Sequence, residues 1–111
     1  MAGLDPGDRL VTCAIVRGEI LFGIERLPQG RRRTELEGTA RQFLDTVRCE
    51  PVTERAGDFY AAVKLARQQR GLPLDENDLW VAASALALDA TLVSRDKDFE
   101  GIDGLRVLAL A

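Results

Sequence analysis

The chain is short and mildly acidic. Its 111 residues suffice for a buried core, and we expect one domain over residues 1–111. The net charge of −3 argues against a protein that coats DNA without sequence preference. Because histidine is absent, triads built on histidine and histidine-rich zinc sites are excluded. Any catalysis must therefore use carboxylates, hydroxyls, cysteines or a metal ion.

Cysteine content and hydropathy indicate the compartment. Cys13 and Cys49 are too few for a disulfide framework and lie in segments that resemble core. We expect both to be buried and reduced. No apolar run approaches the roughly 20 residues of a membrane span, and the N-terminus lacks the pattern of a signal sequence. The composition thus predicts a cytoplasmic protein with no membrane partner.

The predicted elements begin after a loose lead-in, residues 1–8. A short strand is predicted over Leu10–Cys13, and Thr12 could cap the helix that follows. That helix, Val16–Leu27, has apolar residues largely on one side, with Glu19 among them. An unpaired charge on a buried side would be costly, so we expect a metal ion or a partner at Glu19.

A second helix, Arg31–Arg48, is more polar. Its apolar residues follow helical spacing, which predicts a half-exposed surface helix with Asp45 facing solvent. The helix opens with Arg31, Arg32 and Arg33. Three arginines at a helix start are usually solvated, but they could also contact RNA phosphates. A weak strand is predicted near Cys49.

A third helix, Thr53–Arg70, has Thr53 as its expected N-cap. Its predicted packing face consists of Phe59, Tyr60, Val63, Leu65 and Ala66.

The stretch that organises the chain runs from Leu72 to Phe99. Asp75 and Glu76 stand where a helix should begin, and we interpret them as capping and helix-dipole residues. From Leu79 to Leu88 the sequence is almost wholly apolar, which predicts a helix covered on nearly all sides. We expect Trp80 to lie in the core or an interface rather than to stack on a base.

Strands follow at Thr91–Ser94 and Leu105–Leu110. Helices that alternate with short apolar strands predict an α/β domain with a mostly parallel sheet. The strands are few for such a sheet, and no central strand is evident.

Acidic residues flank the apolar helix and its following strand. Asp96 comes directly after Thr91–Ser94, and Asp78 opens the helix, so both can reach the same edge of the sheet. Converging carboxylates repel one another and need a cation, for which Mg²⁺ or Mn²⁺ is suited. Such ions steady charge on a phosphodiester, so a nucleic acid is the natural substrate. Asp78 could equally be a first-turn acid, and Asp96 and Asp98 could be turn residues.

Three segments together resemble a known family. RGEILFGIERLPQGRRR, then NDLWVAA, then LVSRDKDF are similar to the PIN domain, in particular the VapC-type toxins of toxin–antitoxin pairs. The resemblance implies a PIN-like three-layer fold and a metal-dependent endoribonuclease. It also implies a homodimer, an RNA substrate and inhibition by a VapB-like antitoxin. By the same resemblance, Glu19, Asp78 and Asp96 match acids of the Mg²⁺ or Mn²⁺ site, and Asp98 matches a fourth.

The chain departs from the family pattern near its start. PIN domains open with a strand ending in an Asp that binds the metal, and no residue before Glu19 fits that description. The family's first strand and first helix are therefore expected to be absent, with activity impaired. The alternative function is a catalytically inactive remnant that binds an antitoxin or forms dimers.

Overall fold

The computed structural model describes residues 11–94 and 96–109, which fall into two compact units. The N-terminal unit comprises residues 11–51, and the C-terminal unit comprises residues 52–94 and 96–109. The predicted lead-in over residues 1–8, together with Leu10 and Leu110, lies outside the described residues. Within those ranges, no helix combines the length and the apolar character needed to cross a membrane.

The N-terminal unit contains two helices and one pair of strands. Thr12 of the first strand stands opposite Cys49 of the second in a parallel ladder, as the sequence predicts. The elements in chain order are β1 (Val11–Cys13), α1 (Ala14–Glu25), α2 (Arg31–Thr46) and β2 (Arg48–Glu50).

The first helix starts without a side-chain cap. Its N-cap position is held by Cys13, which makes no side-chain hydrogen bond to the helix. Thr12 was predicted as a cap, and this prediction was wrong because Thr12 lies inside β1, where it is buried. The first-turn N–H groups of α1 are therefore not served by a hydroxyl from the strand.

The second helix lies at the surface, as predicted. Leu44 is the buried residue of α2, and Asp45 is exposed. The helix follows Gly30, whose φ of 152° favours glycine.

Both cysteines are free, as expected, but they differ in exposure. Cys13 is buried, whereas Cys49 is exposed, so the expectation of two buried thiols was wrong for Cys49. The reason is that β2 is a three-residue strand whose first two side chains are not covered.

The C-terminal unit pairs two helices with a second parallel ladder. Thr91 stands opposite Arg106, and Ser94 stands opposite Ala109. Its elements in chain order are α3 (Glu54–Gln69), α4 (Glu76–Ala87), β3 (Thr91–Ser94), a one-turn 3₁₀ helix (Lys97–Phe99) and β4 (Arg106–Ala109).

The third helix begins as predicted and packs partly as predicted. The hydroxyl of Thr53 accepts a hydrogen bond from the Ala56 N–H at 3.2 Å, which caps the helix. Val63 is buried, but Leu65 is 56% exposed and so does not belong to the packing face. Ala66 is exposed as well, so its predicted place in the packing face was also wrong. The buried positions are instead Ala56, Val63 and Arg67.

The fourth helix supplies the core of the C-terminal unit and packs on α3. Its buried residues form an almost unbroken run, which confirms the prediction of a helix covered on nearly all sides. Leu79 is 2% exposed, and Ala82 is fully buried. Phe99 and Ile102 add to the buried set.

The strands confirm an α/β fold with parallel pairing. Within the described part of the chain they form two separate two-stranded sheets, β1–β2 and β3–β4. This agrees with the shortage of strands read from the sequence.

An ion pair between Asp89, which precedes β3, and Arg106 of β4 adds to the contacts between the two strands. Asp89, which has a φ of 51°, accepts hydrogen bonds from Arg106 with its carboxylate at 3.2 Å and its carbonyl at 2.6 Å. The Arg106 Nε also donates to the Thr91 hydroxyl at 3.3 Å.

Candidate active site

Two segments of the C-terminal unit carry the predicted acids, and each is ordered by its own side chains. The first leads into α4. A carboxylate oxygen of Asp75 accepts the Asp78 N–H at 2.9 Å, so Asp75 is the N-cap, as predicted. Asp78 is half-buried in the first turn, where the helix dipole favours a negative charge.

The second segment follows β3. The Ser94 hydroxyl accepts the Asp96 N–H at 3.0 Å. The Asp96 carboxylate in turn accepts the Asp98 N–H at 2.8 Å and so caps the 3₁₀ helix. Asp96 and Asp98 are both exposed. The acid that follows β3 is therefore held by the turn it begins, as the turn interpretation predicts.

The carboxylates are of the type that Mg²⁺ or Mn²⁺ takes as ligands, but their arrangement does not by itself make a metal site. Among residues 11–94 and 96–109, no three Asp, Glu or Cys residues gather in a way that could hold a metal ion. The donor chemistry of these carboxylates thus fits such an ion.

Glu19 lies on α1 of the N-terminal unit and is exposed. The buried position inferred for Glu19 was therefore wrong, because water can reach its carboxylate. A metal ion or a partner at Glu19 stays a prediction. The assignment of Glu19 to the site rests on the family resemblance alone.

The three arginines at the start of α2 differ in their contacts. The Arg31 Nε pairs with Glu35 at 3.1 Å, and its side chain is 92% exposed. Arg33 pairs with Glu37 at 2.8 Å and donates to the Leu27 carbonyl at 3.2 Å. Arg31 and Arg32 are thus open to solvent, whereas Arg33 is tied to the loop before the helix. Their contact with RNA stays a prediction.

A hydrogen-bonded cluster joins α3 to the start of α4. The Lys64 Nζ donates to Glu76 at 2.6 Å and to the Tyr60 hydroxyl at 3.0 Å, and that hydroxyl donates to Glu76. The hydrogen bond from Lys64, and then that from Tyr60, lowers the pKa of Glu76. The hydrogen bonds that Lys64 makes to Glu76 and then to Tyr60 raise the pKa of Lys64. Glu76 therefore links two helices in addition to its predicted place in the first turn.

Trp80 stacks on Tyr60, with 4.1 Å between ring centroids and 12° between ring planes. The half-buried indole is thus held between α3 and α4, as the core or interface interpretation predicts.

Two arginines at the end of α3 make contacts that were not predicted from the sequence. The Arg67 Nε donates to the Leu72 carbonyl at 2.7 Å, and its Nη1 donates to the Glu100 carbonyl at 3.3 Å. The Arg70 Nη1 donates to the Gly101 carbonyl at 2.7 Å. A signal existed for Arg67, because it lies four residues after Val63 and so on the same helical side.

The α3–α4 pair, the parallel strands and the acids that follow β3 define an α/β domain with acidic loops. A family model of the PIN domain matches residues 2–105, and the chain belongs to that family.

Similarity extends to individual members of the family. The chain is 30% identical over 105 residues to ribonuclease VapC1 of Haemophilus influenzae strain R2866, covering 91% of the chain and 74% of that protein. It is 26% identical over 97 residues to ribonuclease VapC5 of Mycobacterium tuberculosis, covering 87% of the chain and 71% of that protein.

Solved structures confirm the predicted fold class. VapBC2 from Rickettsia felis, bound to a promoter DNA fragment, matches with a TM-score of 0.85 at 23% identity, over 95% of this chain and 77% of that one. VapBC-1 from nontypeable H. influenzae matches with a TM-score of 0.82 at 26% identity, over 96% of this chain and 78% of that one.

Proposed function

We propose that the chain is the endoribonuclease toxin of a VapBC-type toxin–antitoxin pair. The observation that carries the proposal is the similarity to ribonuclease VapC1, which spans 91% of the chain. The ordered acids at the start of α4 and after β3 support it, because carboxylates can carry the chemistry of a nuclease that lacks histidine.

Within this proposal, Glu19, Asp78 and Asp96 are the catalytic acids, with Asp98 beside them. We further propose dependence on Mg²⁺ or Mn²⁺, because carboxylate oxygens are the ligands these ions prefer. When bound, such an ion supplies a Lewis acid for the phosphodiester and a water of lowered pKa. The chain's own contribution is to hold Asp78 by its backbone in a helix turn and to hold Asp96 at a cap.

The proposed partners follow from the same similarity. A VapB-like antitoxin would bind and inhibit the chain, and two copies would form a homodimer in the cytoplasm. RNA would lie against the exposed guanidinium groups of Arg31 and Arg32, with Arg33 nearby. These exposed cations can pair with phosphates, although each such contact is screened by salt.

RNA cleavage by the purified full chain tests the proposal. We expect cleavage of single-stranded RNA with Mn²⁺ and none with excess EDTA. Asp78→Asn, Asp96→Asn and Glu19→Gln should each lower the rate by on the order of 100-fold or more, since a reacting carboxylate is lost. Asn keeps the side-chain oxygen that caps the 3₁₀ helix, so Asp96→Asn removes charge without removing the cap.

The matched control is Asp58→Asn, which neutralises an exposed acid on α3 of the same unit. It should cleave at the parent rate. Parental activity in Asp78→Asn at saturating Mn²⁺ would contradict the proposed acids.

The second candidate function is an inactive PIN domain that binds an antitoxin. In that case the chain would co-purify with a co-expressed VapB-like protein yet cleave no RNA with Mg²⁺ or Mn²⁺. Cleavage that EDTA abolishes would exclude this candidate.

A further inference from the structure

Arg67 is the buried arginine of α3, with 6% of its surface exposed. Its guanidinium group donates to the Leu72 carbonyl, in the loop before α4, and to the Glu100 carbonyl, after the 3₁₀ helix. Burial of a permanent positive charge is costly unless it is hydrogen-bonded, and here two main-chain oxygens accept hydrogen bonds from Nε and Nη1. One side chain thus bridges the two segments that carry the acids.

At Leu72, backbone contacts extend the link that Arg67 makes between the two segments. The Leu72 N–H donates to the Arg67 carbonyl at 3.0 Å, so Leu72 is bound to Arg67 through both its N–H and its carbonyl. Pro73 follows directly and limits the freedom of the chain. Asp75 then caps the helix whose first turn contains Asp78.

On the second side, the Glu100 N–H donates to the Lys97 carbonyl at 3.0 Å. Lys97 opens the 3₁₀ helix that Asp96 caps. A displacement of Glu100 would therefore be transmitted to the turn that holds Asp96.

Arg70 reaches the second segment through the Gly101 carbonyl. Gly101 has a φ of 82°, a backbone conformation that favours glycine. The hydrogen bond of Arg70 goes to the second segment, whereas those of Arg67 go to both segments. The two arginines thus differ in the segments they hold.

We propose that Arg67 is a positioning residue that sets the placement of Asp78 relative to Asp96 by binding the Leu72 and Glu100 carbonyls at once. The proposal rests on the proposed nuclease function, in which both acids act on one phosphodiester. A planar guanidinium with several donors suits this task, since it binds two acceptors in a fixed geometry.

Hydrogen–deuterium exchange on the full chain, without RNA or metal, tests the bridge. Arg67→Met keeps much of the aliphatic stem and removes the donors. It should speed exchange in residues 72–78 and 96–102 while leaving the middle of α3 and α4 protected. Arg70→Met should affect residues 96–102 alone. The matched control is Arg55→Met, on the same helix and exposed, and it should affect neither segment.

Steady-state RNA cleavage with Mn²⁺, corrected for the folded fraction, tests the link to catalysis. Arg67→Met should lower kcat by about 100-fold, since displaced reacting groups lose rate, while KM for RNA changes less than about 3-fold. Arg67→Lys should recover part of kcat, because its ammonium can bind one carbonyl.

Several other outcomes of these experiments would contradict the proposed role of Arg67. Unchanged exchange in both segments, or uniformly faster exchange across α3 and α4, would overturn the proposal. So would local loosening with a parental kcat. If Arg67→Met does not fold, Arg67→Lys takes its place, and unchanged exchange in both segments with a parental kcat in that variant overturns the proposal. If the parent cleaves no RNA, the nuclease function fails and the catalytic role of Arg67 falls with it, whereas the exchange pattern still decides whether the bridge exists.

Discussion

The helices α1 and α4 are both 12 residues long and mostly apolar, yet they are buried to very different extents. In α4 a nearly continuous run is buried, and Leu79 is 2% exposed. In α1 the buried residue is Ile24, and Phe22 is 65% exposed. Apolar composition therefore does not determine burial; the neighbouring elements do.

The capping residues and first-turn charges of α1 and α4 differ in the same direction as their burial. Asp75 caps α4 with its carboxylate, and Asp78 adds charge in the first turn. Cys13 begins α1 without a side-chain cap, and the first turn of α1 has no acid. The helix with the stronger local signals is thus also the better packed one, as expected when local and tertiary preferences agree.

Truncation of the core should give the largest difference between the two helices. Leu79→Ala removes a buried side chain and leaves a cavity, so the free energy of unfolding should fall by about 2–5 kcal/mol. Phe22→Ala removes a largely exposed ring and should change it by less than about 0.5 kcal/mol. Urea denaturation followed by circular dichroism measures both, and similar losses would refute the comparison.

Overpacking should separate the helices by a smaller amount. Ala82 is fully buried, so Ala82→Val should lower the free energy of unfolding by about 1–3 kcal/mol. Ala14 is exposed, so Ala14→Val should cost only the propensity difference, up to about 0.7 kcal/mol. Thermal unfolding of the two variants provides the measurement, with equal shifts as the contrary result.

Loss of the cap should weaken α4 by less again. Asp75→Ala removes the acceptor of the Asp78 N–H and should cost about 1 kcal/mol. Asp75→Asn retains an acceptor and serves as the control. Chemical denaturation of both variants should show a clear loss for alanine and little for asparagine; equal losses would mean that charge, not capping, matters here.

The pH dependence of the Lys64–Glu76 pair should be the smallest effect, because both side chains contact solvent. The pKa of Glu76 is lowered from 4.5, so its contribution is present above pH 4.5 and is lost as pH falls through the lowered pKa. The pKa of Lys64 is raised from 10.5, so its contribution is present below pH 10.5 and is lost as pH rises through the raised pKa.

Glu76→Gln should therefore unfold at a lower temperature than the parent at neutral pH. The difference should shrink as the pH is lowered from neutral through the lowered pKa of Glu76. A difference that stays constant over this range would show that the pair contributes no linked stability.

Much of the fold was predictable because its signals are local. Thr53 and Asp75 mark helix starts by their own hydrogen bonds. The run from Leu79 to Leu88 predicts a covered helix because each of its sides is apolar. The short apolar segments that form β3 and β4 were predicted as strands for the same reason.

The errors arose where burial depends on neighbours distant in sequence. Phe22 and Leu65 are apolar but exposed, while Arg67 is charged but buried, because carbonyls from two loops receive its donors. Glu19 is exposed, although the apolar residues around it predict a buried position. Residue type predicts burial only where tertiary contacts follow the helical pattern.

The contact between Asp89 and Arg106 affects how accurately β3 and β4 align during folding. A parallel pair has no hairpin turn to align its strands, and a slip of one residue would turn each side chain to the opposite face. Such a slip would also carry Arg106 about 3.3 Å along β4 and away from both Asp89 oxygens. The left-handed conformation of Asp89 aims its carbonyl and carboxylate at a single guanidinium. A misaligned pair would thus lose two hydrogen bonds at once, so the contact between Asp89 and Arg106 favours the correct strand register.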